Sequence, residues 1–314
     1  MTWTGRTDGE GPQHARWHQR VRTDAPSGPH IALLGFASDE GVRRNQGRVG
    51  AKEGPAALRR ALAPMTLQGT LGDGSVAIHD LGDVEVDTDL EEGQEAMGAR
   101  IHEALNGDGN ALTVVLGGGH ETAWASYLGL SRHLAGGKRW GVLNLDAHFD
   151  LRDAEHPSSG TPFLQMAESQ RAADEAFRYG VVGISEHANT RQLFDRADEL
   201  GVDFLLDVDT SAKRATTFVE NFAAGVDVLY LTIDLDVLPA AVAPGVSAPA
   251  AFGVETRAIV AAVRAAAATG KLRLVDVVEL NPRFDVDGRT ARTAARLVAE
   301  AAHRVVDRAA SSLR

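Results

Sequence analysis

The sequence predicts an α/β protein built on a doubly wound, mostly parallel sheet. Short apolar runs alternate along the chain with segments of helical patterning, and this alternation is typical of βαβ units. The runs are nearly continuous and rich in β-branched residues, which favours strands covered on both faces. The chain has 314 residues, of which 44% are hydrophobic, so it is long enough to bury a large core.

The predicted elements follow from these runs. Helix candidates lie at 54–63, 91–106 and 255–270, and Gly270 is a plausible cap at the end of the last one. Strands are predicted over 31–37, 111–119, 140–147, 179–185, 227–237 and 271–280. We expect residues 1–28 to form an N-terminal extension, loosely ordered or packed on the surface, and residues 29–314 to form a single catalytic domain.

Composition excludes several classes of function. The net charge of −11 and the pI near 5.5 argue against a nucleic-acid or membrane-surface partner. The chain contains no cysteine, which excludes disulfides, thiolate metal sites and cysteine nucleophiles. The first thirty residues lack a signal-peptide core, and no stretch approaches the ~18 apolar residues of a membrane span. We therefore expect a cytoplasmic protein that acts on a small molecule.

Polar residues follow four of the predicted strands, at the edge where open α/β sheets bind ligands. Asp146, His148 and Asp150 alternate after one strand, so an extended chain would point all three in one direction. The remaining strand ends supply His120, Asp234, Asp236 and Glu279. Any one of these segments could be a tight turn or a helix cap. Together they indicate one functional site.

A metal centre explains this convergence better than a buried counter-ion. Unpaired buried carboxylates are costly, and no arginine lies within the three segments that hold the histidines and aspartates. Six nitrogen and oxygen donors, four of them anionic, exceed what one divalent ion normally takes. Two ions sharing bridging aspartates, about 4 Å apart, would use all six. Oxygen donors with two imidazoles and no sulfur favour Mn2+ over Zn2+.

Three motifs carry a family resemblance. The segments "GGGHE" (117–121), "DAHFD" (146–150) and "DLD" (234–236) resemble the signature regions of the ureohydrolases, the arginase and agmatinase superfamily. The resemblance implies a three-layer α/β/α fold with two Mn2+ ions per chain. It also implies that a hydroxide bridging these ions attacks an amidine or guanidine carbon.

Residue roles follow by position from the same resemblance. One ion would be held by His120, Asp146, Asp150 and Asp234, and the other by Asp146, His148, Asp234 and Asp236. Asp150 would also orient the hydroxide and carry its proton. Glu279 would pair with the cationic head of the substrate. Relatives are commonly trimers or hexamers, so the resemblance implies a homo-oligomer.

Other segments resemble the formimidoylglutamases within this superfamily. These are residues 4–21, 35–55, 158–165 and 243–254. The resemblance implies hydrolysis of N-formimidoyl-L-glutamate to L-glutamate and formamide, a step of histidine degradation. A guanidinobutyrase-like or agmatinase-like enzyme is the nearest alternative, and a catalytically silent scaffold of the same fold is the other.

An anionic substrate tail is consistent with Arg152, which lies two residues after Asp150. Its planar guanidinium suits bidentate binding of a carboxylate, although a solvated loop arginine is the alternative. Ser158 and Ser159 are predicted to donate hydrogen bonds to the same tail. A second basic cluster near the cleft is predicted at Arg43, Arg44 and Arg48.

The proton donor to the departing nitrogen has no obvious candidate. Arginases place a histidine where this chain has Phe163, and agmatinases place one where it has Ser159. These departures count against both activities. Asp150, after it has accepted a proton, is the first candidate for the donor, and His156 is the second.

Overall fold

A computed structural model describes residues 3–134 and 137–312 of the chain, with side chains described as far as residue 310. Within these residues, nine strands form one parallel sheet with the order β1-β3-β2-β4-β9-β8-β5-β6-β7. Helices cover both faces, so the fold is a three-layer α/β/α arrangement and the predicted fold class is confirmed. The strands are β1 Val21–Arg22, β2 His30–Ala37, β3 Ala77–Glu85, β4 Asn110–Leu116, β5 Trp140–Leu145, β6 Tyr179–Ile184, β7 Asp203–Leu206, β8 Val228–Asp234 and β9 Leu272–Val278.

The α-helices fall into two layers. They are α1 Trp17–Arg20, α2 Glu40–Arg44, α3 Gly54–Leu62, α4 Gly69–Asp73, α5 Leu90–Asn106, α6 Thr122–His133, α7 Pro162–Ala172, α8 Arg191–Glu199, α9 Ala212–Ala224, α10 Thr256–Ala268 and α11 Arg289–Ser312. Helices α3, α9, α10 and α11 pack with one face of the sheet in the larger apolar core. Helices α5 to α8 contribute to the second core on the other face.

The six predicted strands and three predicted helices are present, with ends shifted by a few residues. The prediction ran past the end of β4 because Gly117 to Gly119 form a turn that leaves the sheet. Helix α10 ends at Ala268, and Gly270 follows with a left-handed φ of 74°, as glycine does after many helices.

Three strands at the two sides of the sheet were missed. Strand β3 carries His79, Asp80 and Asp83, which hide its apolar pattern. Asp80 is buried there because the Arg59 guanidinium donates to both of its carboxylate oxygens, at 2.8 Å each. Strands β1 and β7 are short edge strands with mostly half-buried or exposed residues, so neither has the continuous apolar run that marks a central strand.

The first described residues pack against the sheet and its helices. Trp17 is fully buried, and β1 pairs with Ile78 and His79 of β3. The indole nitrogen of Trp3 donates to Asp80 at 2.8 Å. The division of the chain at residue 28 stays a prediction. Within the described part of the chain, no helix has both the length and the hydropathy needed to cross a membrane.

The topology gathers the predicted site residues at the centre of the sheet. Strands β4, β9, β8 and β5 lie side by side in that order. Strand β5 follows β4 in the sequence but does not pair with it. Because β8 and β9 insert between them, the connection from β4 to β5 spans a topological switch point, where α/β sheets bind ligands.

Candidate metal centre

The segment after β5 turns sharply, yet it aims all three predicted side chains at one region. Asp146 is fully buried and caps the turn by accepting the backbone N–H of His148 at 2.7 Å. Asp150 has a positive φ of 48°, so the extended conformation does not persist to this residue. Backbone conformations of this kind are uncommon outside glycine and concentrate at functional sites.

His120 follows β4 through a glycine turn that only glycine can form. A Cβ atom at Gly118 would lie 1.8 Å from the carbonyl oxygen of Ser38. The turn places His120 Nδ1 at 3.1 Å from Asp146 Oδ2, 3.0 Å from Asp150 Oδ2 and 3.1 Å from Asp234 Oδ2. One imidazole nitrogen therefore faces three carboxylates from two other strand ends.

A second group lies beside the first. His148 Nδ1 is 3.1 Å from Asp236 Oδ2 and 3.5 Å from Asp146 Oδ1. Asp234 accepts the backbone N–H of Asp236 at 2.9 Å, which holds the turn after β8. The potential ligand atoms within each group lie within 4.8 Å of one another, and Asp146 belongs to both groups. Asp234 was predicted to bridge both ions, but in this arrangement it belongs to the first group and not to the second.

The donor set suits divalent cations. Burial raises the pKa of Asp234 well above its ordinary value, and the charges of Asp236 and Asp146 raise it further. Burial alone would lower the pKa of His120, but the carboxylates of Asp146, Asp150 and Asp234 around its ring raise that pKa well above the usual value. Both shifts show that these buried side chains favour positive charge between them. Carboxylates with imidazoles are ligands that Mn2+ accepts.

A buried network orients the His120 ring. His120 Nε2 lies 3.0 Å from the Thr232 hydroxyl, and a proton on Nε2 leaves the Nδ1 lone pair directed at the carboxylates. Thr232 lies opposite Asp276 in the register of β8 and β9, and the Asp276 carboxylate accepts hydrogen bonds from Ser126 and Tyr230. The Phe163 ring packs edge-on against His120, with 5.3 Å between ring centroids. Where arginases have a histidine, this chain thus has an apolar support.

We expect Asp276→Asn to weaken Mn2+ binding about 10- to 100-fold, because such supporting groups fix the orientation of a histidine ligand. The measurement is a Mn2+ titration followed by electron paramagnetic resonance. Tyr230→Phe is the matched control, since it removes one donor to Asp276 and leaves Thr232 in place. Equal Mn2+ affinities for Asp276→Asn and the unmodified chain would contradict the role of this network.

Glu279 faces the same cavity, which has a volume of about 380 Å³. Its Oε1 accepts the backbone N–H of His120 at 2.9 Å, whereas its buried Oε2 has no hydrogen-bond partner among the described residues. Burial, and then the charge of Glu121, raises the pKa of Glu279 to about 8. A cationic group in the cavity would favour the carboxylate form by charge pairing.

Arg152 lies at the border between this cavity and a neighbouring one of about 800 Å³. It is exposed, and within the described residues its guanidinium has no hydrogen-bond or ion-pair partner. Ser159 lines the metal cavity, and its hydroxyl accepts from Asn45 at 3.1 Å, so the hydroxyl proton is free to be donated. Ser158 lines the neighbouring cavity only.

The predicted second basic cluster is engaged within the protein. Arg43 pairs with Glu40, and Arg44 pairs with Glu40 and Glu91. Arg48 lines the metal cavity but donates to the carbonyl oxygens of Val246 and Ser247. These arginines retain less capacity for an anionic ligand than Arg152 does.

Several residues that line the metal cavity were not predicted from the sequence. Asn45, Gln46 and Ser247 line the metal cavity, and Gln46 has a positive φ of 61°. Polar side chains in loops give no pattern that distinguishes a cavity wall from a solvated surface. His156, the second candidate for the proton donor, lines the neighbouring cavity rather than the metal cavity.

Comparisons of sequence and structure show which known proteins this chain resembles. The model of the Arginase family matches residues 29–303. A formimidoylglutamase of Nocardia farcinica is 53% identical over 311 residues, covering 98% of this chain and 96% of the relative. One from Rhodococcus opacus is 52% identical, covering 97% and 94%. A Trypanosoma cruzi structure described as formiminoglutamase with Mn2+2 superposes with a TM-score of 0.77, at 27% identity and 87% and 92% coverage. The formimidoylglutamase structure from Bacillus subtilis gives a TM-score of 0.82 at 22% identity, covering 96% and 93%, and shows the common fold.

Proposed function

The chain belongs to the arginase family, and on that premise we propose that it hydrolyses N-formimidoyl-L-glutamate to L-glutamate and formamide. One observation carries the choice of substrate within the family. The Arg152 guanidinium, free of protein partners in the described residues, lies at the mouth of a cavity lined by the candidate metal ligands. The names of relatives about 50% identical over nearly the whole chain support the same substrate.

We propose that the centre holds two Mn2+ ions, as the donor set allows. His120, Asp146, Asp150 and Asp234 would hold one, and Asp146, His148, Asp234 and Asp236 the other. When bound, such ions act as Lewis acids and lower the pKa of water.

The remaining chemistry belongs to the side chains of the cavity. The Glu279 carboxylate pairs with the cationic amidine and fixes its orientation. Asp150 accepts a proton from the attacking water and returns it to the departing nitrogen. The bond between the amidine carbon and the glutamate nitrogen breaks, and the terminal nitrogen leaves in formamide. Arg152, Ser158 and Ser159 bind the anionic part of the substrate.

A product assay tests the reaction. The manganese-loaded protein is expected to release L-glutamate and formamide from N-formimidoyl-L-glutamate, with activity lost after chelation and restored by Mn2+. Nuclear magnetic resonance identifies both products. Ammonia and N-formyl-glutamate as first products would mean that a different bond breaks. Faster hydrolysis of 4-guanidinobutyrate or agmatine would favour the alternative ureohydrolase activities, and no hydrolysis of any of these substrates would favour a scaffold.

We also propose a cytoplasmic homo-oligomer that takes part in histidine degradation and has no nucleic-acid or membrane partner. The acidic composition supports the absence of a nucleic-acid or membrane-surface partner, and the names of the formimidoylglutamase relatives support the role in histidine degradation.

A further inference from the structure

The outer cavity, which is the neighbouring cavity lined by Ser158 and His156, lies beside the metal cavity. Its volume is about 800 Å³, and it shares Asn45, Gln46 and Arg152 with the metal cavity. A ligand at the metal cavity can therefore extend past Arg152 into it. Four arginines line it, two from α2, one from the loop after β5 and one from α8.

The arginines of this cavity differ in whether their guanidinium groups are already paired with carboxylates of the protein. Arg43 and Arg44 are paired with Glu40, and Arg44 also with Glu91. Their charges are largely compensated within the protein. Of the four arginines that line the cavity, Arg152 and Arg196 therefore remain able to bind a carboxylate of a ligand.

Arg196 is held in place without being neutralised. Its Nη1 donates to the carbonyl oxygen of Leu151 at 2.5 Å, and its side chain is 19% exposed. The nearest carboxylate is Asp153 at 4.0 Å, beyond hydrogen-bond distance, and that side chain is 79% exposed. Glu155 also lines the cavity and is exposed. Solvated carboxylates compensate a half-buried guanidinium only weakly.

N-formimidoyl-L-glutamate carries two carboxylates, which lie at different distances from its amidine group. One is attached to the carbon that carries the amidine nitrogen, and the other lies at the end of the side chain. Arg152 borders the metal cavity, whereas Arg196 lines only the outer cavity. We propose that Arg152 binds the near carboxylate and Arg196 the far one, so that Arg196 makes the enzyme specific for a dicarboxylate. This inference rests on the proposed function.

Paired substrates test the proposal. N-formimidoyl-L-norvaline keeps the side-chain length of the glutamate compound but has a methyl group in place of the far carboxylate. Arg196→Gln removes the charge and keeps a donor for Leu151. We expect the KM of this variant for the glutamate compound to rise about 30-fold or more, with kcat within about threefold. The KM for the norvaline compound is expected to change less than about threefold.

Controls separate recognition from structure. Arg191→Gln removes the same charge from the same helix at a side chain that is 93% exposed, and we expect wild-type kinetics. Arg196→Lys is expected to recover part of the loss and serves if the glutamine variant is unstable. An equal loss on both substrates would overturn the proposal, because Arg196 would then only support the turn at Leu151. Wild-type kinetics in both Arg196 variants would also overturn it.

A binding experiment tests the carboxylate site separately from the proposed reaction. If the unmodified protein hydrolyses neither formimidoyl compound, the proposed function fails. Calorimetry of the manganese-loaded protein then compares L-glutamate with L-norvaline. Preference for L-glutamate that is lost in Arg196→Gln supports the carboxylate site, and equal binding of the two amino acids overturns it.

Discussion

Asp234→Ala is expected to remove at least one of the two proposed Mn2+ ions and to lower kcat/KM by about a thousandfold or more. Asp234 ends β8 with its Oδ2 3.1 Å from His120 Nδ1. Alanine there removes an anionic donor that no neighbouring side chain can replace. Metal content by elemental analysis and turnover of N-formimidoyl-L-glutamate are measured on the same preparation.

Thermal unfolding distinguishes a lost ligand from a damaged fold. Burial and the charges of Asp236 and Asp146 raise the pKa of Asp234, so its carboxylate is unfavourable when no cation is bound. After chelation, the variant is therefore expected to unfold close to the temperature of the unmodified protein, since relief of the carboxylate repulsion offsets the lost bond from the Asp236 N–H. Added Mn2+ should raise the Tm of the unmodified protein, because a ligand that binds only the folded state stabilises it. The variant should show less of this increase.

Asp227→Ala is the matched control for this experiment. Asp227 directly precedes β8, at the end of the strand opposite Asp234. It is 46% exposed and pairs with Arg139, so its removal is expected to leave metal content and turnover unchanged. Two ions retained by Asp234→Ala, or turnover close to that of the unmodified protein, would contradict the proposed role of Asp234 as a metal ligand, and fewer than two ions in the unmodified protein would contradict the binuclear centre.

The positions of the candidate ligands could be predicted because one physical rule covers them all. Parallel strands end at the same edge of a sheet, so polar residues after β4, β5, β8 and β9 had to converge. The alternation of Asp146, His148 and Asp150 reinforced this prediction. The rule does not give the φ of Asp150, which depends on how the loop folds back toward α7.

The arginines show where sequence reasoning ended. Arg43, Arg44 and Arg48 were predicted as a second basic cluster because local sequence does not show the ion pair of Arg44 with Glu91 or the bonds of Arg48 to Val246 and Ser247. The pairs of Glu40 with Arg43 and Arg44 have i,i+3 and i,i+4 spacing, which is a local signal that the prediction did not use. Arg196 lies on α8, and its bond to Leu151 arises from the packing of that helix beside the loop after β5. Such long-range contacts come from tertiary packing and not from spacing or composition.

The same contacts explain why charge count alone would misplace the substrate. A paired arginine gains little from a second carboxylate, because its fork of donors is already occupied. An arginine with no partner, next to a cavity, gains the full charge-assisted interaction when a carboxylate binds. Among the described arginines at the metal cavity, Arg152 best fits this description.

Arg152→Met is accordingly expected to weaken binding of N-formimidoyl-L-glutamate by about 2–4 kcal/mol, through loss of a charge-assisted and bidentate interaction. The loss should appear mainly in KM, since the carboxylate is bound in both the ground state and the transition state. Arg152→Lys is expected to recover only part of it, because an ammonium lacks the planar fork. Steady-state kinetics on both variants check these values.

Metal content in Arg152→Met should equal that of the unmodified protein, because Arg152 belongs to neither group of candidate ligands. Discrimination against amidines without carboxylates should fall, since the variant loses the interaction that only a substrate with a carboxylate gains. Arg43→Met is the matched control: it removes an arginine of the same outer cavity that is already paired with Glu40. Wild-type kinetics in Arg152→Met together with a raised KM in Arg43→Met would transfer the role to α2. If Arg152 binds the substrate as proposed, its variants lose affinity and Arg43→Met does not, because a paired cation and an unpaired one at the same cavity differ in what a carboxylate can gain.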